Sequence, residues 1–288
     1  MEVREVTALS PADRAAIFDR DAGVDAVRDD AADIVDRVAE EGDVAIREFA
    51  REFDGVEVGS LDVTDRAASA VETVDEEVLA AIEDAAANIR AFHEAQRPAD
   101  WREDFGGREL GRRFRPVESA GVYVPGGTAA YPSSALMGVI PATVAGVEHV
   151  AVATPPAESL PAATLAAAHV AGADTVYQVG GAQAVAALAY GTETVDAVDV
   201  VVGPGNPWVT AAKAEVRGDV EIDFLAGPSE VLVLADDSAD PDLVAAELVA
   251  QAEHDEASSV VAVTSDTDLA RAIEIGRASC RERVYCEV

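Results

Sequence analysis

The stretch "LVAQAEHDEA" (Leu248–Ala257) sets Gln251 and His254 three residues apart in a run with helical spacing. Positions i and i+3 share a helix face, so an amide oxygen and an imidazole point the same way. Histidine is an ordinary zinc ligand and a glutamine oxygen an uncommon one. A catalytic zinc takes three or more protein groups, so this pair alone is an incomplete site. Three glycine turns offer a different chemistry: "VPGGTAAYPSS" (Val124–Ser134), "VGGAQA" (Val179–Ala184) and "GPGNPW" (Gly203–Trp208). Each joins a strand-like run to a helix-like one. Free N–H groups and the dipole at a helix start favour an anion such as a pyrophosphate, and glycine allows close backbone approach. None is a GxGxxG, since Trp208 stands where the third glycine of "GPGNPW" would be. Any one of them reads equally as an ordinary turn; the three together raise a nucleotide reading. A fourth turn, "DFLAGPSEVLV" (Asp223–Val233), presents Ser229, either as a cap or as a ligand contact.

Those residues need a scaffold, and the chain supplies two kinds of segment. The first hundred residues read as helical. "SPADRAAIFDR" has Ser10 as N-cap and Pro11 at the first helical position. "VDAVRDDAADIVDRVAEEGDVAIREFAREFDG" keeps helical spacing until Gly55, and "DEEVLAAIEDAAANIRAFHEAQR" is another amphipathic helix. From about Gly111 short apolar strands alternate with alanine-rich helices: "GVYVPGG", "HVAVATP", "TVYQVGG", "VDVVVGPGN", "VLVLAD" and "SVVAVTSD" are the strands. Such βαβ repetition predicts an α/β fold with a mostly parallel sheet and helices on both faces. The strands' C-terminal edge, where the glycine turns fall, is where such sheets carry ligands. His93, His149 and His169 sit in helical or apolar elements and read as structural.

Composition narrows the function further. The chain of 288 residues carries 55 acids against 21 basic residues, a net charge of −34. Nucleic acid and anionic membranes are therefore excluded as partners on electrostatic grounds. Lys213 is the only lysine. An evenly acidic, lysine-poor surface resembles that of cytoplasmic proteins from salt-loving archaea, in which salt screens self-repulsion. No run of 18 apolar residues and no signal-peptide pattern occurs, so a cytoplasmic protein is expected. Both cysteines, Cys280 and Cys286, fall in the last segment, "EIGRASCRERVYCEV" (Glu274–Val288), which also brings three arginines. That segment resembles a translated sequencing adapter and is set aside as an artefact; a natural, variable C-terminus is the alternative.

The blocks "GVYVPGGTAAYPSSALMGVIPATVAGV", "VYQVGGAQAVAALAYGTETVDAVDVVVGPGNPWVTAAKAEV", "IDFLAGPSEVLVLAD" and "AQAEHD" resemble the histidinol dehydrogenase family in order and spacing, up to about Ile273. The resemblance implies NAD-dependent oxidation of L-histidinol through L-histidinal to L-histidine, the last step of histidine biosynthesis, with one zinc per site. It implies Tyr123, Gln183 and Asn206 as NAD contacts, Ser229 as a substrate contact, and Gln251 and His254 as zinc ligands that also hold substrate. It further implies an intertwined homodimer of two incomplete Rossmann-like domains with parallel sheets flanked by helices. The expected division is a helical N-terminal region with the first part of domain 1 (1–122), an NAD-side domain (123–229), a return to the zinc and substrate side (230–273), and the tail (274–288). The family's remaining zinc ligands and its Glu–His acid–base pair have no counterpart in these residues. The expectation is a C-terminally truncated chain with little or no turnover. A non-catalytic nucleotide-binding α/β module remains the competing reading, because fold alone does not give function.

Overall fold

Valine-rich runs become strands and alanine-rich runs become helices because of where each is buried. In a computed structural model that describes residues 3–18, 23–126, 130–226, 229–252 and 258–274, the chain divides into two compact units, Val24–Ala226 and Met1–Gly23 with Gly227–Val288. Helix α1 (Pro11–Phe18) opens as the sequence predicts. The Ser10 hydroxyl accepts the Asp13 N–H at 3.2 Å while the Asp13 carboxylate accepts the Ser10 N–H at 3.0 Å, a reciprocal cap.

The larger unit begins with α2 (Val24–Glu41), α3 (Asp43–Phe49), α4 (Thr64–Ala70) and α5 (Glu76–Gln96). A hairpin follows, β1 (Trp101–Asp104) and β2 (Glu109–Arg112), with every strand residue exposed. Then comes the alternating part: β3 (Ser119–Tyr123), α6 (Pro132–Ala145), β4 (His149–Thr154), α7 (Ala162–Ala171), β5 (Thr175–Gln178), α8 (Gly181–Tyr190), β6 (Val200–Val202), α9 (Pro207–Glu215) and β7 (Glu221–Ile222). The sheet order is β5-β4-β3-β6-β7, and every pairing is parallel. This is the order of a Rossmann sheet lacking its sixth strand. β4 shows how the faces divide. Val150 and Val152 face the layer of α4 to α7, with Ala67, Ile82, Leu136, Ile140 and Leu165. Ala151 and Ala153 face the layer of α2, α3, α8 and α9, with Val38, Ile46, Leu188 and Val209. A strand covered on both faces has no polar side, hence the continuous apolar runs.

The structure departs from the sequence expectation in three places. The single helix read from Val24 to Gly55 is broken at Gly42, whose φ is 58°. Asp43 starts the next helix because its partners lie far away in the chain. Its carboxylate accepts hydroxyls from Thr192 at 2.6 Å and Thr194 at 2.5 Å, and its N–H donates to Glu193 at 2.9 Å. The last turn, Ala50–Asp54, is π-helical and stops at Gly55 with φ 69°. The hairpin and β7 carry no alternating apolar pattern and were not expected as strands. The helices of residues 24–96 pack on the sheet within the same unit.

The smaller unit contains a βαβ motif: β8 (Glu230–Ala235), α10 (Pro241–Ala252) and β9 (Ser259–Thr264), paired in parallel from Glu230↔Ser259 to Ala235↔Thr264. Val244, Ala245 and Leu248 of α10 cover Val231, Val233 and Val260. Among the described residues no helix is long and apolar enough to cross a membrane.

The excess of acids gives a direct expectation. With 55 acidic residues in 288 and a net charge of −34, self-repulsion opposes folding, and shortening the screening length from about 10 Å at 0.1 M salt to about 3 Å at 1 M relieves it. The midpoint of thermal unfolding should rise by several degrees between about 0.1 and 1 M KCl, read by circular dichroism. An unchanged or lower midpoint at high salt contradicts this account of the surface.

Candidate functional site

Strand order creates the site. From β3 the chain winds outward through β4 and β5, then crosses back to β6 on the other side. The loops leaving β3 and β6 thus part in opposite directions, and a crevice opens at their C-terminal ends. A cavity of about 550 Å³ lies there, lined by residues from the ends of four strands: Tyr123 and Gly126, Thr154 and Pro155, Gly181 and Gln183, Gly205 and Asn206. Ile34, Phe53 and Asp54 close it from the α2–α3 side, and Trp208 from α9. The three glycine turns meet here, and Tyr123, Gln183 and Asn206 line the same cavity.

Tyr123 is 4% exposed, and its hydroxyl accepts the Gly181 N–H at 3.2 Å. Burial pushes its pKa up to about 12, helped by the nearby negative charge of Asp54 and opposed by the Gly181 hydrogen bond, so the phenol stays protonated near neutrality. Gln183 is buried within the first turn of α8. Asn206 caps α9 with its side-chain oxygen, which accepts the Val209 N–H at 3.1 Å. Its amide nitrogen remains as a donor at the cavity rim.

Two glycines are obligatory. Gly181 has φ 58°, which turns its N–H onto Tyr123. Gly203 has φ 116°, and a Cβ there would sit 2.1 Å from the Tyr123 carbonyl oxygen. The turn after Gly203 is clamped by the chain's single lysine. Lys213 is buried on α9; its ammonium donates to the Gly203 carbonyl at 2.5 Å and to the Asp223 carboxylate at 2.7 Å. The other Asp223 oxygen accepts the Gly203 N–H at 2.8 Å. A compact ammonium on a flexible stem reaches both acceptors, whereas a planar guanidinium is a poor fit.

Asp54 was not singled out from the sequence, where it reads only as the residue before the helix-ending Gly55. Its Oδ2 is buried and has no hydrogen-bond partner among the described residues. Loss of solvation pushes its pKa up to about 6. A signal was present: an acid in the last helical turn opposes the helix dipole. The π turn that presents it is a feature that recurs at functional sites.

Ser229 and Gln251, which the family resemblance implies as substrate contacts, lie in the smaller unit. Ser229 is exposed at the start of β8, and its carbonyl accepts the Ser259 N–H at 3.1 Å. Gln251, partly buried at the end of α10, donates through its amide to the Ser258 hydroxyl at 3.4 Å. Ser258 and Ser259 thus tie both to the N-terminal edge of the β8–β9 pair. His254 lies outside the described residues, as does most of the tail from residue 275. Among the described residues no group of three or more His, Cys, Asp or Glu side chains could hold a metal ion. The described donors do not by themselves fit a zinc centre.

A parallel sheet in Rossmann order with a cavity at its crossover defines the class: a Rossmann-type α/β protein with a switch-point crevice. The chain belongs to the histidinol dehydrogenase family, whose model matches residues 19–279. The match runs beyond Ile273, up to which the sequence resemblance was read. The histidinol dehydrogenase of Haloarcula marismortui is 75% identical over 273 residues, covering 95% of this chain and 65% of that protein. The Halobacterium salinarum histidinol dehydrogenase is 72% identical over 95% of this chain and 64% of its own length. The crystal structure of histidinol dehydrogenase from Elizabethkingia anophelis superposes with a TM-score of 0.83 at 37% identity, covering 88% of this chain and 60% of that one. The chain therefore spans somewhat less than two thirds of the length of these relatives.

Two measurements check the geometry. Asp54 has a folded pKa raised from 3.8 to about 6. Its ionised form therefore costs stability above the folded value, and the cost vanishes below the unfolded value. The full linkage is about 3 kcal/mol, and screening of a half-exposed group reduces it to about 1–2 kcal/mol. Asp54→Asn should therefore stabilise the chain by that amount at pH 7.5 and by almost nothing near pH 4, in denaturant titrations of both forms. A variant less stable than its parent at pH 7.5 contradicts the orphaned carboxylate. Lys213→Met leaves Asp223 without its cation and should cost about 3 kcal/mol. A loss below about 1 kcal/mol shows that the clamp is unimportant.

Proposed function

We propose that the complete protein is an NAD-dependent histidinol dehydrogenase that oxidises L-histidinol through L-histidinal to L-histidine. The observation that carries this reading is the meeting of Tyr123, Gln183 and Asn206 in the switch-point cavity of a chain belonging to that family. NAD bound there supplies the hydride acceptor. Gly205 and the Asn206 amide offer donors at the start of α9, and the start of α8 opens on the same cavity; a pyrophosphate is favoured at such helix starts. Tyr123 stays protonated and closes the cavity floor. Lys213 and Asp223 keep the 203–206 turn in shape.

The substrate side is the 230–273 segment together with Ser229 just before it, with Ser229, Gln251 and His254 as contacts. Zinc belongs to this reading through Gln251 and His254, together with ligands from outside the described residues. No step here is derived through it. A homodimer in the cytoplasm completes the reading, supported by the family and by the acidic, lysine-poor composition.

The test is NADH formation from L-histidinol with Zn²⁺ in molar salt. It compares this chain with a version completed by the C-terminal third that the halophilic relatives possess. The completed protein should turn over. This chain should do so at no more than about a thousandth of that rate, since the expected Glu–His pair has no match in it. Absence of histidinol-dependent NADH in the completed protein overturns the reading. Equal rates overturn the assignment of the acid–base pair to the segment beyond this chain.

A further inference from the structure

In a Rossmann unit an acid at the end of the second strand accepts the hydroxyls of the nucleotide's adenosine ribose, and a 2′-phosphate is refused there. The second strand of this sheet is β4, and it runs into Thr154, Pro155 and Pro156. None of these is an acid, so the usual place for that carboxylate is taken by a hydroxyl and two rings. Asp54 is the only acidic residue lining the cavity among the described residues. It enters from the π turn after α3, outside the strand–loop–helix pattern altogether.

We propose that Asp54 is the specificity-determining residue of the nucleotide site, accepting the adenosine ribose hydroxyls and excluding a 2′-phosphorylated dinucleotide. This rests on the reading of the cavity as the NAD site. Three observations support it. The Asp54 Oδ2 atom is buried without a donor among the described residues, an arrangement that costs stability unless something supplies one. A ribose hydroxyl in the cavity that Asp54 lines brings a donor to the carboxylate and costs it nothing in charge. No lysine or arginine lines the cavity among the described residues, so a 2′-phosphate would meet a carboxylate and no cation. Finally, the turn is held rigidly. Gly55 ends it in the left-handed region, and Phe53 beside Asp54 stacks on Phe49 with ring centroids 5.4 Å apart.

The role differs from a structural one in sign. A carboxylate kept for the fold would weaken the protein when removed. A carboxylate kept for a ligand weakens binding while the free protein gains stability. The experiment is calorimetric titration of the 288-residue chain with NAD⁺ and with NADP⁺ at pH 7.5 in molar KCl, repeated for Asp54→Asn and Asp54→Ser. The parent should bind NAD⁺ at least tenfold more tightly than NADP⁺. Both variants should lose about tenfold in NAD⁺ affinity, and the preference should shrink to threefold or less. NAD⁺ binding with undiminished affinity and preference in both variants overturns the role of Asp54 and leaves the cavity reading standing. A parent that binds neither nucleotide overturns both. Serine, smaller than aspartate, guards against a misfolded asparagine variant, and the thermal midpoint of each variant is read alongside.

Discussion

The tightest constraint in the larger unit is the approach of the Gly203 backbone to the Tyr123 carbonyl. No side chain fits between them, since a Cβ at 203 would stand 2.1 Å from that oxygen. The contact joins the end of β3 to the turn after β6, the two strands from which the chain departs in opposite directions. The surrounding site depends on it. Tyr123 is oriented so that its hydroxyl meets Gly181, the 203–206 turn is drawn against β3, and Asn206 is delivered to the start of α9. The Lys213–Asp223 pair holds Gly203 from both its N–H and its carbonyl, which explains the one lysine in a chain whose other basic residues are arginines.

The parts of this arrangement that could be read in the sequence are those set by local rules. The valine-rich runs and the glycines after them announce β3, β5 and β6 because a strand buried on both faces has no polar side and must turn tightly at its end. Tyr123, Gln183 and Asn206 lie within or beside those turns, but it was the family resemblance, not the turns, that singled them out. The parts that were hidden depend on distant partners. Gly42 breaks a long amphipathic run only because Asp43 finds Thr192 and Thr194 about 150 residues on. The β1–β2 hairpin has exposed strands on both sides and no alternating pattern to betray it. Asp54 looked like a helix end, and what makes it notable is the cavity it faces, which no local window contains. Lys213 was visible as a singleton but explicable only once Gly203 and Asp223 were seen around it.

A buried carboxylate oxygen left without a donor among the described residues and a glycine turn pressed against a carbonyl are both costly in isolation. Their concentration around one cavity follows the general pattern in which departures from local stability cluster where a ligand is to be bound. The smaller unit has a different character. Its βαβ motif gathers Ser229 and Gln251 at the N-terminal edge of the β8–β9 pair through Ser258 and Ser259, and the described residues there supply a single candidate metal ligand, Gln251. The residues lining the switch-point cavity thus all lie within residues 24–226, whereas His254 falls outside the described residues.

A crystal structure of this chain grown with NAD⁺ tests the central claim most directly. The account predicts the pyrophosphate against the N–H groups at the starts of α8 and α9, with the Asn206 amide as a donor and a ribose hydroxyl within hydrogen-bond distance of the Asp54 carboxylate. Dinucleotide density anywhere else on the larger unit, with the Tyr123–Gly203 crevice filled only by solvent, contradicts it.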